Sequence, residues 1–325
     1  MKNFPEFVLE VTKAQGFGEI SEIQSLWSGY GSIKRLQLKG AGATSVIVKL
    51  VSPPNSADHP RGWNTGLSHQ RKLKSYQVES NWYRQTAMTG PWGDARIPQC
   101  YGVHQDGEQV MLVLEDLDAA EFSERRSFVN ESEWKSCVRW LAQFHAAGMG
   151  NNSLGLWETG TYWHLETRPD ELESLDDLEL KQAAHAIDQK LKSAKFQTLV
   201  HGDAKLANFC FQPRGDEVAA VDFQYIGGGC GMKDLAYFVG SCFRDEEAEA
   251  REEEALACYF QFFEEAMKRG GSKVSAKEVE KEWRPLYRVA WADFHRFMKG
   301  WSPGHWKLSD YSERVTRSVI RDLNA

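Results

Sequence analysis

The residues best suited to chemistry fall in two short stretches. One is His201-Gly202-Asp203-Ala204-Lys205-Leu206-Ala207-Asn208, and the other, fourteen residues after Asn208, is Asp222-Phe223-Gln224. Moving a phosphoryl group onto a hydroxyl requires a carboxylate beside the acceptor oxygen. It also requires a hard divalent cation to screen the triphosphate, and such a cation takes oxygen ligands, usually from one Asn and one Asp. Asp203, followed by the pair Asn208 and Asp222, offers both in that order.

These residues need elements that bring them together. Phe209 to Gln212 and Val218 to Val221 are short strand-like runs separated by Pro213-Arg214-Gly215-Asp216, so an antiparallel hairpin is predicted. Asn208 and Asp222 each lie seven residues from Gly215, which puts both side chains at the open end of that hairpin, where one cation can bridge them. Asp203 belongs to the loop entering the same end, just after the apolar run Thr198-Leu199-Val200. The competing reading, in which His201, Asp203 and Asn208 merely cap a turn, leaves the paired motif unexplained.

The pattern H-G-D-x-x-x-x-N followed by D-F-Q resembles the small-molecule branch of the protein-kinase-like superfamily: aminoglycoside phosphotransferases, choline kinases and the ecdysteroid-kinase-like group. The resemblance runs from Trp27 to Gly240. It implies an α+β, two-lobed protein-kinase-like fold. A small N-terminal antiparallel-sheet lobe, residues 1–116, would bind nucleotide, and a larger, mainly helical C-terminal lobe, residues 117–325, would hold the catalytic and acceptor sites. It implies ATP and Mg²⁺ as cofactors, Asp203 as catalytic base or hydroxyl-positioning residue, and Asn208 and Asp222 as the metal ligands. Lys205 occupies the position of the lysine that touches the transferred phosphate.

Other parts of a nucleotide site follow in order. Trp27-Ser28-Gly29-Tyr30-Gly31-Ser32 lies between Ile23 to Leu26 and the alternating run Ile33 to Leu38, and it predicts a hairpin tip of little bulk, able to lay backbone N–H groups over phosphates. Ser45 to Leu50 is an apolar strand carrying Lys49, whose ammonium needs an anionic partner if buried. By resemblance Lys49 is the nucleotide-phosphate lysine. Its expected partner is Glu79, which shares a helical face with Tyr76 and Tyr83 within Gln70 to Met88. The stretch from Ser52 to Leu73, rich in Pro, Asn and Gly, reads as a mobile insertion near the mouth of the site. Strands over Gln99 to His104 and Gln109 to Leu114 flank Asp106-Gly107. The resemblance places the hinge next, with backbone groups near Glu115 and Leu117 reading the adenine edge.

Downstream the pattern is helical, over Glu133 to Ala147, Glu179 to Lys195 and from Asp234 onward. Asp234 is expected to cap its helix and, by resemblance, to brace the catalytic loop; His145 reads as a structural residue. Asp245 to Glu254 reads as a solvated acidic face.

The 325 residues suffice for two lobes, and a net charge of −7 argues against nucleic acid as a partner. Six cysteines without C-x-x-C or zinc-like spacing suggest reduced thiols in a cytoplasmic protein, and neither a leader nor a membrane-spanning run is evident. The oligomeric state is open. Two departures from the protein-kinase pattern bear on the substrate. Gln224 replaces the glycine of D-F-G, and only eleven residues separate Asp222 from Asp234, too few for a phosphorylatable activation loop. Gly227, Gly228, Gly229 and Gly231 are expected to turn the chain tightly past the metal site. A small hydroxylated acceptor is therefore expected, with a protein kinase or a nucleotide-binding scaffold without turnover as alternatives. For the acceptor pocket the candidates are Trp291, Asp293, Trp301 and Trp306. The two tryptophans at 301 and 306 are expected on a Gly- and Pro-containing loop, with Asp293 and Asp310 able to hold a cation against aromatic faces.

Overall fold

The computed structural model describes residues 4–26, 29–53, 65–89 and 92–324. Trp27 and Ser28 of the expected hairpin tip, and residues 54–64 of the expected insertion, lie outside these residues.

The N-terminal part is a five-stranded antiparallel sheet in the order β1-β2-β3-β5-β4, with β1 Gly16–Ser25, β2 Gly31–Lys39, β3 Ser45–Val51, β4 Cys100–Asp106 and β5 Gln109–Glu115. Alternation along β3 sorts its side chains by face, because successive residues of a strand point to opposite sides. Val46 and Val48 pack with Leu36, Met111 and Val113 against Phe7 and Val8 of α1, Phe4–Thr12. Ile47 and Val51 face the main core, and Lys49 shares their side. On that side lies α2, Thr65–Thr89, which contributes Tyr76, Val78, Trp82 and Tyr83 to the main core. The helix starts five residues before the expected Gln70, inside the stretch read as an insertion. Its first turns are polar and carry no apolar period, so tertiary contacts hold them instead: the Tyr30 hydroxyl lies 2.5 Å from His69 Nδ1, and Arg71 donates to the Thr167 carbonyl at 2.8 Å.

The C-terminal part is mostly helical. In α3, Glu131–Gly148, Trp134, Val138, Leu141 and Phe144 form one buried stripe. Asn130 starts it as the N-cap of a capping box with Glu133. Beyond it come α4 Pro169–Glu173, α5 Leu178–Lys192, α6 Met232–Cys242, α7 Asp245–Arg269, α8 Ala276–Trp301 and α9 Asp310–Asn324. α8 packs against α4, α5, α6, α7 and α9. Trp283, Tyr287 and Trp291 on its inner face are buried in the main core, so their period records packing. Glu252, within the acidic start of α7, is not solvated: it is buried and bonded to the Tyr311 hydroxyl and Arg288. Trp301 is the last residue of α8 rather than part of the following loop, and it stacks on Phe297 at 5.7 Å. No helix among the described residues is long and apolar enough to cross a membrane.

Two small sheets lie between α5 and α6. The strands β6 Thr198–Val200 and β9 Gly227–Gly229 pair antiparallel, and so do β7 Phe209–Phe211 and β8 Val218–Ala220. The glycine run is thus a strand rather than a tight turn. A side chain at Gly227 would put its Cβ 2.2 Å from the Trp157 carbonyl oxygen, which is why the strand is bare.

Candidate active site

The hairpin β7–β8 forms as its sequence predicts, with Phe209 opposite Ala220 and the Val221 N–H bonded to the Asn208 carbonyl at 3.0 Å. Asn208 therefore pairs across from Val221, and Asp222 lies one residue past the symmetric position. Asp222 makes up that step by adopting a left-handed backbone, φ +70°, a conformation disfavoured for a non-glycine residue. Its carboxylate lies 3.5 Å from Lys49 Nζ and accepts from Gln224 Nε2 at 2.6 Å. Burial pushes the Asp222 carboxyl up, but Lys49, Lys205 and His201 outweigh it and hold the group below the usual carboxylate range.

Lys49 and Glu79 are both buried and meet at 2.7 and 3.0 Å. Burial works against the Lys49 charge, yet Glu79 and Asp222 raise its pKa above the ordinary lysine value. The residue in place of the D-F-G glycine has a task of its own. Besides holding Asp222, Gln224 accepts from Ser75 Oγ of α2 at 3.1 Å, so the helix that carries Glu79 also fixes Asp222.

The catalytic-loop candidates are held from below. Gly202 has φ +81°, and a Cβ there would lie 2.1 Å from the Tyr225 carbonyl oxygen, so only glycine fits. The Asp234 carboxylate accepts from the N–H groups of His201 and Gly202 at 2.5 and 3.0 Å and from His145 Nε2 at 3.1 Å. Asp234 is not the N-cap of α6, a position taken by Gly231; it lies in the first turn and braces the loop instead. His201 bridges two backbones, its Nε2 donating to Val221 O and its Nδ1 accepting from Asp203 N.

Asp203 is buried, and its carboxylate accepts from Lys205 Nζ at 2.9 Å, Asn208 Nδ2 at 3.1 Å and the Tyr237 hydroxyl at 3.2 Å. Burial lifts its pKa above the usual value; Lys205 opposes the shift and Asp222 adds to it. The Asn208 amide also donates to the Asp203 carbonyl at 2.7 Å. Nδ2 makes both bonds, and among the described residues no donor reaches Asn208 Oδ1. Asp222 Oδ2 is likewise without one. Two hard oxygens at one end of the hairpin fit a magnesium-like cation.

The structure thus gathers Lys49, Glu79 and Asp222 on one side and Asp203, Lys205 and Asn208 on the other. Gly29, φ +73°, has open space around its Cα, and Ser32 pairs with Leu50 at the start of β2. Gly31 is packed against β3, where a Cβ would meet the Leu50 carbonyl at 1.9 Å. The Tyr30 side chain is buried in the main core, leaving only its backbone for the hairpin tip. The Glu115 carboxylate binds Arg96 and the Gln99 N–H, and Leu117 is buried with Phe122, Cys210 and Ala219.

Two acceptor candidates are committed elsewhere. Trp291 is buried, donating to Ser312 Oγ at 3.0 Å. Asp293 is fully buried and bonded to Arg296 and Trp163 Nε1, so it offers no free charge to a cation. Trp306 is 45 % exposed. Sequence reasoning missed Tyr237, whose only signal was a position one helical turn after Asp234. It also missed Arg71, Lys72 and Lys307, which no motif marks.

A family model described as "Phosphotransferase enzyme family" matches residues 23–268. The chain belongs to that family. Its fold is that of the protein-kinase-like phosphotransferases. A microcompartment-associated aminopropanol kinase is 14% identical over 98% of this chain and 96% of its own, with a TM-score of 0.50. An aminoglycoside-3'-phosphotransferase of type VIII is 18% identical over 89% of this chain and 99% of its own, TM-score 0.48. Choline kinase LicA from Streptococcus pneumoniae is 12% identical over 98% of each chain, TM-score 0.47. A search of curated proteins returned no match.

Proposed function

We propose that this phosphotransferase moves the γ-phosphoryl group of ATP, in an Mg²⁺-dependent reaction, onto a hydroxyl of a small molecule. One observation carries the reading: a buried lysine paired with Glu79 also reaches Asp222, while the buried Asp203 carboxylate lies beside Lys205 and Asn208 at the same hairpin end. No purely structural role needs that set together.

In this reading the lobes meet at Asp116, with residues 1–116 binding nucleotide through Lys49, the backbone of Gly29 to Ser32 and the hinge at Glu115 and Leu117. Mg²⁺, held by Asn208 Oδ1 and Asp222, would neutralise charge on the β- and γ-phosphates. Asp203 orients the acceptor hydroxyl and takes its proton as the new O–P bond forms; the bond from the γ-phosphorus to the bridging oxygen breaks and ADP leaves. Its raised pKa suits that proton transfer. Lys205 stands beside the oxygens in transit. The test is ATP consumption against a panel of hydroxylated metabolites, with product mass showing the gain of one phosphoryl group. ADP release without a phosphorylated product would refute it.

A further inference from the structure

The charge around the acceptor side of Asp203 narrows the acceptor itself, on the footing of the phosphotransferase reading above. Lys307 lies on the connection between α8 and α9. Its ammonium sits over the rings of Tyr237, Phe294 and Trp306, at 4.7, 5.3 and 5.6 Å from their centroids. Tyr237 donates its hydroxyl to Asp203 Oδ1 at 3.2 Å. One aromatic ring and one hydrogen bond therefore separate this ammonium from the candidate base.

Among the described residues Lys307 has no carboxylate within ion-pair distance. Burial brings its pKa down to about 8 despite Asp203. It is not alone. Arg71 donates only to the Thr167 carbonyl and the Ser68 hydroxyl among described partners, and burial, with Arg168, lowers its pKa. Lys72 is lowered to about 8 by burial, with Asp222 opposing and Lys49 adding to the shift.

Of the carboxylates nearby, Asp245 lines the same cavity as Trp306 and Lys307 and accepts from the Tyr311 N–H, while the others are paired or turned to solvent. Asp293 binds Arg296, Glu171 binds Arg168, and Asp203 and Asp222 have the roles assigned above. Asp310 lies on the exposed first turn of α9. A half-buried ammonium without a counter-ion is unfavourable, and aromatic faces offset only part of that cost. A cationic acceptor would meet repulsion from Lys307 and from Arg244, whose guanidinium lies 4.8 Å from the centre of the Trp306 ring. An anionic one would complete the site.

We infer that the acceptor is an alcohol bearing a carboxylate or phosphate, whose anionic group is bound by Lys307 within the Tyr237, Phe294 and Trp306 cage while its hydroxyl faces Asp203. In the reaction the anionic group is unchanged; only the hydroxyl proton is exchanged for the phosphoryl group.

Two matched probe sets test this by calorimetry on the full chain under saturating Mg·ADP. One is glycerate, glycerol phosphate, glycerol and aminopropanediol; the other is gluconate, glucose phosphate, glucose and glucosamine. At least one anionic member should bind at least about tenfold tighter than its neutral and amine counterparts. Whether glycerate and gluconate or the two phosphates lead decides between carboxylate and phosphate. Lys307→Met should abolish the advantage, Lys307→Arg should keep it, and both should bind Mg·ADP as the wild type does. Tighter binding of an amine or neutral member, absence of any anionic binding, or an advantage that survives Lys307→Met would overturn the assignment. If the wild type fails to bind Mg·ADP, the phosphotransferase reading itself is wrong, and the acceptor assignment falls with it.

Discussion

Asp203 is the side chain on which most of the site converges. Lys205, Asn208 and Tyr237 all donate to its carboxylate, so replacing it with the isosteric amide preserves volume while removing the acceptor for the hydroxyl proton. Asp203→Asn is expected to lower kcat by about 10²-fold or more, the scale of general-base catalysis. The ATP KM should hardly change, since the nucleotide-side residues are untouched, and steady-state kinetics would read both parameters. Wild-type turnover in this variant would remove Asp203 from the chemistry. Gln224 offers a subtler test, because it touches Asp222 and Ser75 but neither nucleotide nor acceptor is required to touch it. Residues that orient a metal ligand typically contribute about 10- to 100-fold to metal affinity. Gln224→Ala should therefore shift the Mg²⁺ dependence of turnover to higher concentration by that order, with saturating kcat largely recovered. A simple fall in kcat that no Mg²⁺ concentration restores would mean Gln224 acts on the fold rather than on Asp222.

At the scale of elements, the hairpin β7–β8 decides whether Asn208 and Asp222 act together. Binding of nucleotide to the folded state alone stabilises by mass action, about 2.7 kcal/mol at one hundred times Kd. With ATP and Mg²⁺ at that level, EDTA or Asp222→Ala should remove most of the gain in a thermal-shift experiment; an unchanged gain would place the cation elsewhere. The hairpin was legible because its turn residues and apolar runs are local signals. Lys49 on its strand and Glu79 on its helix were legible too, since a lone charge within an apolar stripe demands a partner. Other features were not. The one-residue offset of Asp222 depends on a left-handed backbone that no residue type announces. The glycine run became a strand because Trp157 crowds it from far away in sequence. Trp291 and Asp293 were read as pocket residues because aromatic and acidic character alone does not tell a core from a cavity. Lys307 was passed over because its meaning lies in Tyr237 and Phe294, brought beside it by α6 and α8.

For the molecule as a whole, the acceptor side depends on how α5, α8 and α9 are fastened, since α8 carries Phe294 and the connection to α9 carries Lys307. Asp177, the N-cap of α5, is the centre of that fastening. Its carboxylate accepts from the Leu180 N–H, from Lys299 of α8 at 2.6 Å and from Arg317 of α9, and Glu313 joins the same two cations and His295. Burial raises the Asp177 pKa, but Arg317, Lys299 and the helix N–H outweigh it and bring the group down to about 2. The folded value lies below the unfolded value of about 3.9, so the folded state binds this proton less readily. The contribution of Asp177 is complete above the unfolded pKa and is lost as pH falls toward the folded one. Glu313 is depressed as well, chiefly by its bond with His295, so it acts in the same direction. Melting temperature should thus fall as pH drops from about 5 to about 2. Asp177→Asn should be less stable than wild type at neutral pH, and the two melting curves should approach each other over that acidic window. A gap between them that stays constant with pH would show that Asp177 acts as a neutral cap and not through its charge.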